Sequence, residues 1–145
     1  MRKLKLVAML AIAAALAMGC TAAAAPTTVA APTQGGTVNA TLTDMKIAVD
    51  RTSISAGPVT FVVKNSGVVV HELVVIQTDV AQDKMAMGTE EVGKMDETGN
   101  IGETGEVIVG GSNTFTVNLP AGHYVLMCNE VGHYSSGMHM AFTVN

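Results

Sequence analysis

Beyond residue 36 the chain consists of short runs rich in strand-forming residues, separated by Gly, Pro and Asn, and apolar and polar positions alternate along the last of these runs. Alternation with a period of two is typical of strands that bury one face, and no long segment repeats with the helical period. In the last run every second residue from Met138 to Val144 is apolar, which places His139 on the opposite face. The pattern predicts strands at residues 37–43, 45–50, 59–64, 68–77, 106–109, 113–118, 123–128 and 138–144. We therefore expect an all-β sandwich or barrel of about eight strands.

The segment at residues 78–105 breaks this pattern, because it is polar and acidic and contains the scattered methionines Met85, Met87 and Met95. Loops of this length inside a compact domain are uncommon and are usually functional or mobile. We expect one long loop here, with a helical turn within residues 80–87.

The N-terminus has the layout of an export signal. Three cations precede an apolar run at residues 6–18, which is too short to span a bilayer. The run ends in AMGC, a sequence that resembles the lipobox at which bacterial lipoproteins are cleaved and acylated on cysteine. We expect a signal peptide at 1–19, an Ala-, Pro- and Thr-rich tether at 20–36 that begins with a lipid anchor on Cys20, and a folded domain at 37–145. The alternative is cleavage within residues 22–25, which would release a soluble exported protein.

The exported part of the chain is acidic. Removal of residues 1–19 takes away three of the eight cations and none of the twelve acidic residues. An acidic surface repels nucleic acid and favours basic or neutral patches on partner proteins. We therefore expect protein partners and no nucleic acid.

Export also changes the interpretation of Cys128. The other cysteine, Cys20, is either acylated or removed, so Cys128 has no disulfide partner. His133 follows five residues later and Met138 five residues after that. Sulfur donors stabilise Cu(I), imidazole suits both oxidation states, and one Cys, two His and a weak axial Met form a type 1 copper site. The spacing predicts one type 1 copper per chain.

The second imidazole of such a site must come from another part of the chain. His71, in a valine-rich predicted strand, is the candidate. Met138 is the expected axial ligand, and Met140, on the same strand face, is its competitor and is expected to pack in the core. His123 and His139 are expected at the surface.

The order of His71 followed by Cys128-x4-His133-x4-Met138 resembles the cupredoxin family, including rusticyanin- and auracyanin-like members and bacterial cupredoxin-like copper-binding lipoproteins. The resemblance implies a Greek-key sandwich with copper near one end and His133 as the electron port. Two positions depart from the family pattern. Val131 stands where many members have Pro, and Glu72 stands where many have an Asn that hydrogen-bonds across the site.

These features predict a monomeric copper protein, outside the cytoplasm in the periplasm or at the cell surface, that carries single electrons between redox partner proteins. We do not expect an enzyme, because a copper oxidase needs a histidine-rich oxygen-reducing cluster and the chain has four His. The alternative function is copper capture and delivery in the cell envelope. Soft Cu(I) donors in residues 78–105 and the carboxylate of Glu72 keep that alternative open. A lipoprotein that keeps the fold without holding copper is a third possibility.

Overall fold

The computed structural model describes residues 35–145, and these residues form nine strands in two sheets. The strands are β1 (Gly36–Thr43), β2 (Lys46–Val49), β3 (Ser53–Ile54), β4 (Gly57–Asn65), β5 (Val74–Gln77), β6 (Asn100–Glu103), β7 (Ser112–Leu119), β8 (Gly122–Met127) and β9 (His139–Val144). Within this part of the chain the one helical element is a 3-10 turn at Tyr134–Ser136, and no helix there is long and apolar enough to cross a membrane. The predicted signal peptide, the anchor on Cys20 and the tether up to residue 34 lie outside the described residues.

The first sheet has the strand order β2-β1-β4-β7, and the second has the order β3-β9-β8-β5-β6. The pairs β1–β4 and β3–β9 are parallel, and the other pairs are antiparallel. The prediction of an all-β sandwich is confirmed. Strands β3 and β6 are additions to the predicted set.

The main core lies between the two sheets, and on β9 it follows the alternation read from residues 138–144. On β4 every second side chain from Val59 to Val63 is buried, and Phe61 stacks on Phe115 with ring centroids 5.2 Å apart. Phe142 of β9 meets Phe61 from the opposite sheet at 6.0 Å. Each such buried side chain contributes about 1.5–3 kcal/mol of hydrophobic stabilisation. This packing fixes the strands that carry the candidate ligands.

A second apolar cluster covers the outer face of the five-stranded sheet. Met95 and Tyr134 are buried there against β5 and β8, and Met85 packs at the edge. Residues 78–105 are therefore attached to the sheet, and they contain β6. The helical turn expected within residues 80–87 is absent, since that stretch forms turns and extended backbone.

The predicted strand at residues 68–77 is wrong in its first half, because β5 begins only at Val74. The buried side-chain amide of Asn65 donates to the carbonyl oxygens of Val69 and Val107, both at 2.8 Å, and this pulls the chain into a compact turn. The predicted strand at 106–109 is reduced to a single bridge between Val107 and His71. The turn places His71 at the end of the sandwich, next to the connection between β8 and β9.

Candidate metal centre

Antiparallel pairing of β8 and β9 places Cys128 beside Met138. Met127 pairs with His139, and just beyond this pair the Cys128 N–H donates to the Met138 carbonyl oxygen at 3.0 Å. Both side chains are fully buried in the main core. Two residues that the loop separates are thus neighbours because the strands on either side of that loop are paired.

The loop between β8 and β9 folds back so that His133 faces Cys128. The Met138 N–H donates to the His133 carbonyl oxygen at 3.1 Å, which closes the loop. Gly132 and Gly137 have φ of 79° and 98°, a left-handed conformation that favours glycine. His133 Nδ1 lies 3.3 Å from Cys128 Sγ.

Val131, the residue that departs from the family's Pro, lies on the outside of this loop with 54% of its surface exposed. The loop is held instead by a hydrogen bond from the Gly132 N–H to the Gly93 carbonyl oxygen at 3.0 Å. A Cβ on Gly93 would stand 2.8 Å from Val131 Cγ1, so glycine permits this close approach. The long loop at 78–105 therefore supports the ligand-bearing loop.

His71, which lies 57 residues before Cys128 in the chain, completes the cluster. Its backbone forms a two-way bridge with Val107, with N···O distances of 3.3 and 2.7 Å, and its side chain is fully buried. His71 Nδ1 lies 3.9 Å from Cys128 Sγ and 3.2 Å from His133 Nδ1. The ligand atoms of the three residues all lie within 4.8 Å of one another.

Strand register separates the two candidate axial methionines. Met138 precedes β9 and lies opposite Cys128, whereas Met140 pairs with Leu126, farther into the sheet. Two residues along a strand correspond to about 6–7 Å. Met140 is partly buried and packs against the main core. The geometry therefore favours Met138 as the thioether near the cluster.

Glu72, the second departure from the family pattern, still connects the two ligand-bearing segments. Its backbone N–H donates to Cys128 Sγ at 3.4 Å, and its Oε1 accepts a hydrogen bond from the Asn129 N–H at 3.1 Å. Burial raises the pKa of the Glu72 carboxyl to about 7, and repulsion from nearby carboxylates, Glu130 first among them, adds to the shift. A carboxyl thus makes the cross-site hydrogen bond expected of an Asn.

The buried thiol needs a cation to ionise at neutral pH. Burial raises the pKa of Cys128 to about 11, although backbone N–H groups of Glu72 and Glu130 offset part of the effect. Burial, followed by the neighbouring His71, lowers the pKa of His133 and favours its neutral imidazole. Neutral imidazoles and a thiolate are the forms that bind metal. The donor set, two imidazoles, one thiol and an adjacent thioether, fits copper.

Two expectations about residues outside the cluster have different outcomes. His123 is exposed, as expected, and pairs with Asp79 at 2.9 Å. His139 is half buried, which the expected surface position did not anticipate, because its ring packs on Tyr134 with centroids 4.5 Å apart.

Sequence reasoning missed two residues that fasten the long loop to the ligand loop. The buried amide of Asn129 accepts from the Met95 N–H at 2.7 Å and donates to Glu97 Oε1 at 2.7 Å. The Tyr134 hydroxyl accepts from the Met85 N–H at 3.0 Å and donates to the Gln82 carbonyl oxygen. The only feature of the sequence that could have identified Asn129 and Tyr134 is that they directly follow Cys128 and His133.

Among known protein families, the sulfocyanin (SoxE) domain matches residues 22–145 of this chain. The chain belongs to the sulfocyanin domain family. Sulfocyanins are cupredoxins, copper proteins that carry single electrons, so the predicted cupredoxin resemblance is confirmed. The cofactor of this sulfocyanin domain is one type 1 copper per chain, in agreement with the donor set.

Solved structures support the fold of the sulfocyanin domain. Reduced auracyanin from Roseiflexus castenholzii has 24% identity and a TM-score of 0.58, with 77% of this chain and 98% of that chain covered. Auracyanin A from Chloroflexus aurantiacus has 21% identity and a TM-score of 0.55, covering 77% and 100%. Rusticyanin from Thiobacillus ferrooxidans has 19% identity and a TM-score of 0.58, covering 77% and 79%. A comparison with curated proteins finds no match.

Proposed function

We propose that this sulfocyanin domain is an extracytoplasmic electron carrier whose copper is held by His71, Cys128 and His133, with Met138 as the weak axial ligand. The observation that carries the proposal is the convergence of three donor atoms from two distant segments within 4.8 Å. Met138 is included because it is fully buried and its backbone is bonded to that of Cys128.

Copper, when bound, supplies a one-electron couple between Cu(II) and Cu(I). The protein contributes rigidity. Cys128 and Met138 are fixed by strand pairing, His71 by its bridge to Val107, and His133 by the closed loop. Ligands that are held by packed strands and hydrogen bonds keep their positions when the charge of the centre changes, and this lowers the cost of electron transfer.

His133 is the proposed exit for the electron. Of the three clustered residues, His71 and Cys128 are buried and only His133 has solvent-accessible surface. Electron transfer needs a short path to the partner, and His133, the partly exposed residue of the donor cluster, provides one. Redox partner proteins are expected to dock over His133. The chain is expected to act as a monomer.

The proposal of copper ligation through Cys128 is tested by the visible spectrum of the oxidised, copper-loaded protein. We expect an intense visible band that Cys128→Ser abolishes, because the band needs a thiolate ligand, while the far-ultraviolet circular dichroism of the variant stays that of a β protein. Ser135→Ala, in the same loop and exposed, is the matched control and should keep the colour. A blue Cys128→Ser protein would refute the ligand assignment.

The competing proposal is copper capture and delivery. The packing of Met85 and Met95 on the sheet and the hydrogen bond of Glu72 to Asn129 give these groups structural roles, which favours the carrier. Reversible one-electron voltammetry with slow loss of copper to a chelator is expected of a carrier. Rapid and complete transfer of copper to the chelator would favour delivery instead.

The proposed location, the periplasm or cell surface with a lipid anchor on Cys20, rests on the N-terminal sequence. Expression of the full chain in a bacterial host followed by membrane fractionation tests it. We expect the chain in the membrane fraction and Cys20→Ala in the soluble extracytoplasmic fraction. Mass spectrometry of a soluble wild-type chain beginning within residues 22–26 would show the alternative cleavage.

A further inference from the structure

Asp44 lies in the tight turn between β1 and β2, next to the metal centre. Thr43 pairs with Lys46, so Asp44 and Met45 alone form the turn, and Met45 has a φ of 59°. This turn directs Asp44 Oδ1 to within 3.3 Å of the Nε2 atom of His71. The His71 side chain is fully buried and that of Asp44 is 41% exposed.

The carboxylate is held in this position from a second side. The Val68 N–H donates to both oxygens of Asp44, at 3.0 and 3.3 Å. Gly67 leaves the space for this contact, since a Cβ there would stand 2.6 Å from Asp44 Oδ1 and 2.8 Å from His71 Nε2. The Gly67 N–H in turn donates to Asn65 Oδ1 at 2.9 Å, which fixes the turn. The contact between Asp44 and His71 is therefore held by two backbone segments, the turn between β1 and β2 and the turn that follows β4.

The two nitrogens of the His71 ring have different surroundings. Nε2 faces the Asp44 carboxylate, whereas Nδ1 faces Cys128 Sγ and His133 Nδ1. A carboxylate accepts hydrogen bonds and does not donate them, so the imidazole proton is stabilised on Nε2. The lone pair then remains on Nδ1, directed at the other donors. Carboxylate acceptors behind metal-binding histidines fix the tautomer and increase the basicity of the ligand.

We propose that Asp44 is a positioning residue of the copper centre, which holds His71 in its Nε2–H tautomer and lowers the reduction potential of the bound metal. The effect on the potential follows from charge, because a carboxylate hydrogen-bonded to a ligand stabilises Cu(II) more than Cu(I). This inference rests on the copper site proposed above, but its first test needs no copper.

The tautomer of His71 is measured on the metal-free protein by long-range proton–nitrogen NMR at mildly alkaline pH. We expect the proton on Nε2 in the wild-type protein and a mixture of tautomers in Asp44→Ala. A proton found mainly on Nδ1 of the wild-type ring would overturn the proposal. Because the decisive spectrum is that of the wild-type protein, the result does not depend on the folding of a variant.

The charge effect is measured by voltammetry of the copper-loaded protein. Asp44→Asn keeps the shape of the side chain and removes its charge, so we expect a higher reduction potential than in the wild type. Asp50→Asn is the matched control, because Asp50 follows β2 at the other end of the same hairpin, bonded to Asn39, and its loss changes the net charge equally. If the reduction potential shifts no more in Asp44→Asn than in Asp50→Asn, the proposed role of Asp44 in lowering the potential is overturned. If the wild-type protein fails to bind copper, the proposed function falls, whereas the tautomer still reports on Asp44.

Discussion

At the scale of single residues, Cys128 combines two properties that oppose each other. It is fully buried, and burial raises the pKa of its thiol to about 11, so the metal-free protein keeps the proton at neutral pH. The N–H of Glu72 nevertheless points at Sγ, an arrangement that stabilises the thiolate. The site is thus prepared for a thiolate that forms only when a cation arrives.

Proton release should accompany copper binding for this reason. Since the pKa of Cys128 lies well above neutral, each Cu(II) bound at neutral pH should displace the thiol proton. The apparent affinity should then rise with pH, by about tenfold per unit between neutral pH and that pKa. Calorimetric titrations in buffers of different ionisation enthalpy measure the released protons, and binding without proton release would contradict the ionisation of Cys128.

A substitution at Met138 tests the axial ligand. Met138→Leu should retain the blue colour and raise the reduction potential, because a weak donor that favours Cu(II) is removed. A Leu of similar volume should cost less than about 1.5 kcal/mol of stability. Met140→Leu is the matched control and should leave the potential unchanged. A larger shift in the Met140 variant would assign the axial role to that residue.

At the scale of elements, residues 78–105 fasten the ligand loop from outside. Asn129 bonds to the backbone of Met95, Tyr134 bonds to the backbone of Met85 and Gln82, and Gly132 bonds to Gly93. Asn129 and Tyr134 directly follow the candidate ligands Cys128 and His133. The long loop therefore restrains the ligand loop at three points, and its methionines Met85 and Met95 supply the apolar contact with the sheet.

Tyr134→Phe tests this restraint because it removes the hydroxyl and keeps the ring. Two hydrogen bonds are lost, which should cost about 1–3 kcal/mol and accelerate hydrogen exchange at the Met85 amide. Tyr124→Phe, which removes the hydroxyl bond to the Pro120 carbonyl oxygen, is the control. Equal exchange at Met85 in the wild type and Tyr134→Phe would show that the hydroxyl does not hold the loop.

At the scale of the whole molecule, the candidate ligands come from separate parts of the sandwich. His71 lies between β4 and β5, while Cys128, His133 and Met138 border the connection between β8 and β9. A metal bound by both segments holds them together, whereas the unfolded chain has no preformed site.

Copper should therefore raise the melting temperature. At a free concentration a thousand times the Kd, binding contributes about 4 kcal/mol. For a domain of this size that corresponds to an increase on the order of 15 °C. Differential scanning calorimetry with and without copper measures the shift, and Cys128→Ser should show a much smaller one. An equal shift in both proteins would indicate that copper stabilises the fold from another position.

The sequence by itself determined the features that depend on neighbouring residues. Alternation along residues 138–144 predicted which side chains of β9 face the core, because a strand turns successive residues to opposite faces. The cluster of Cys128, His133 and Met138 was also readable, because a short loop keeps its ends close together. The family resemblance supplied the expected fold.

Only the tertiary structure decided the features that depend on distant segments. The side chain of Asn65 holds the first half of the predicted strand at 68–77 in a turn, and this turn brings His71 to the site. The turn of the β1–β2 hairpin brings Asp44 to His71, which lies 27 residues later in the chain. Within residues 78–105, Met85 and Met95 pack on the outer face of the five-stranded sheet, a contact that no local alternation indicates. A local pattern reports which face of a segment is buried, but not which segment covers it, because that choice is made by packing across the whole domain.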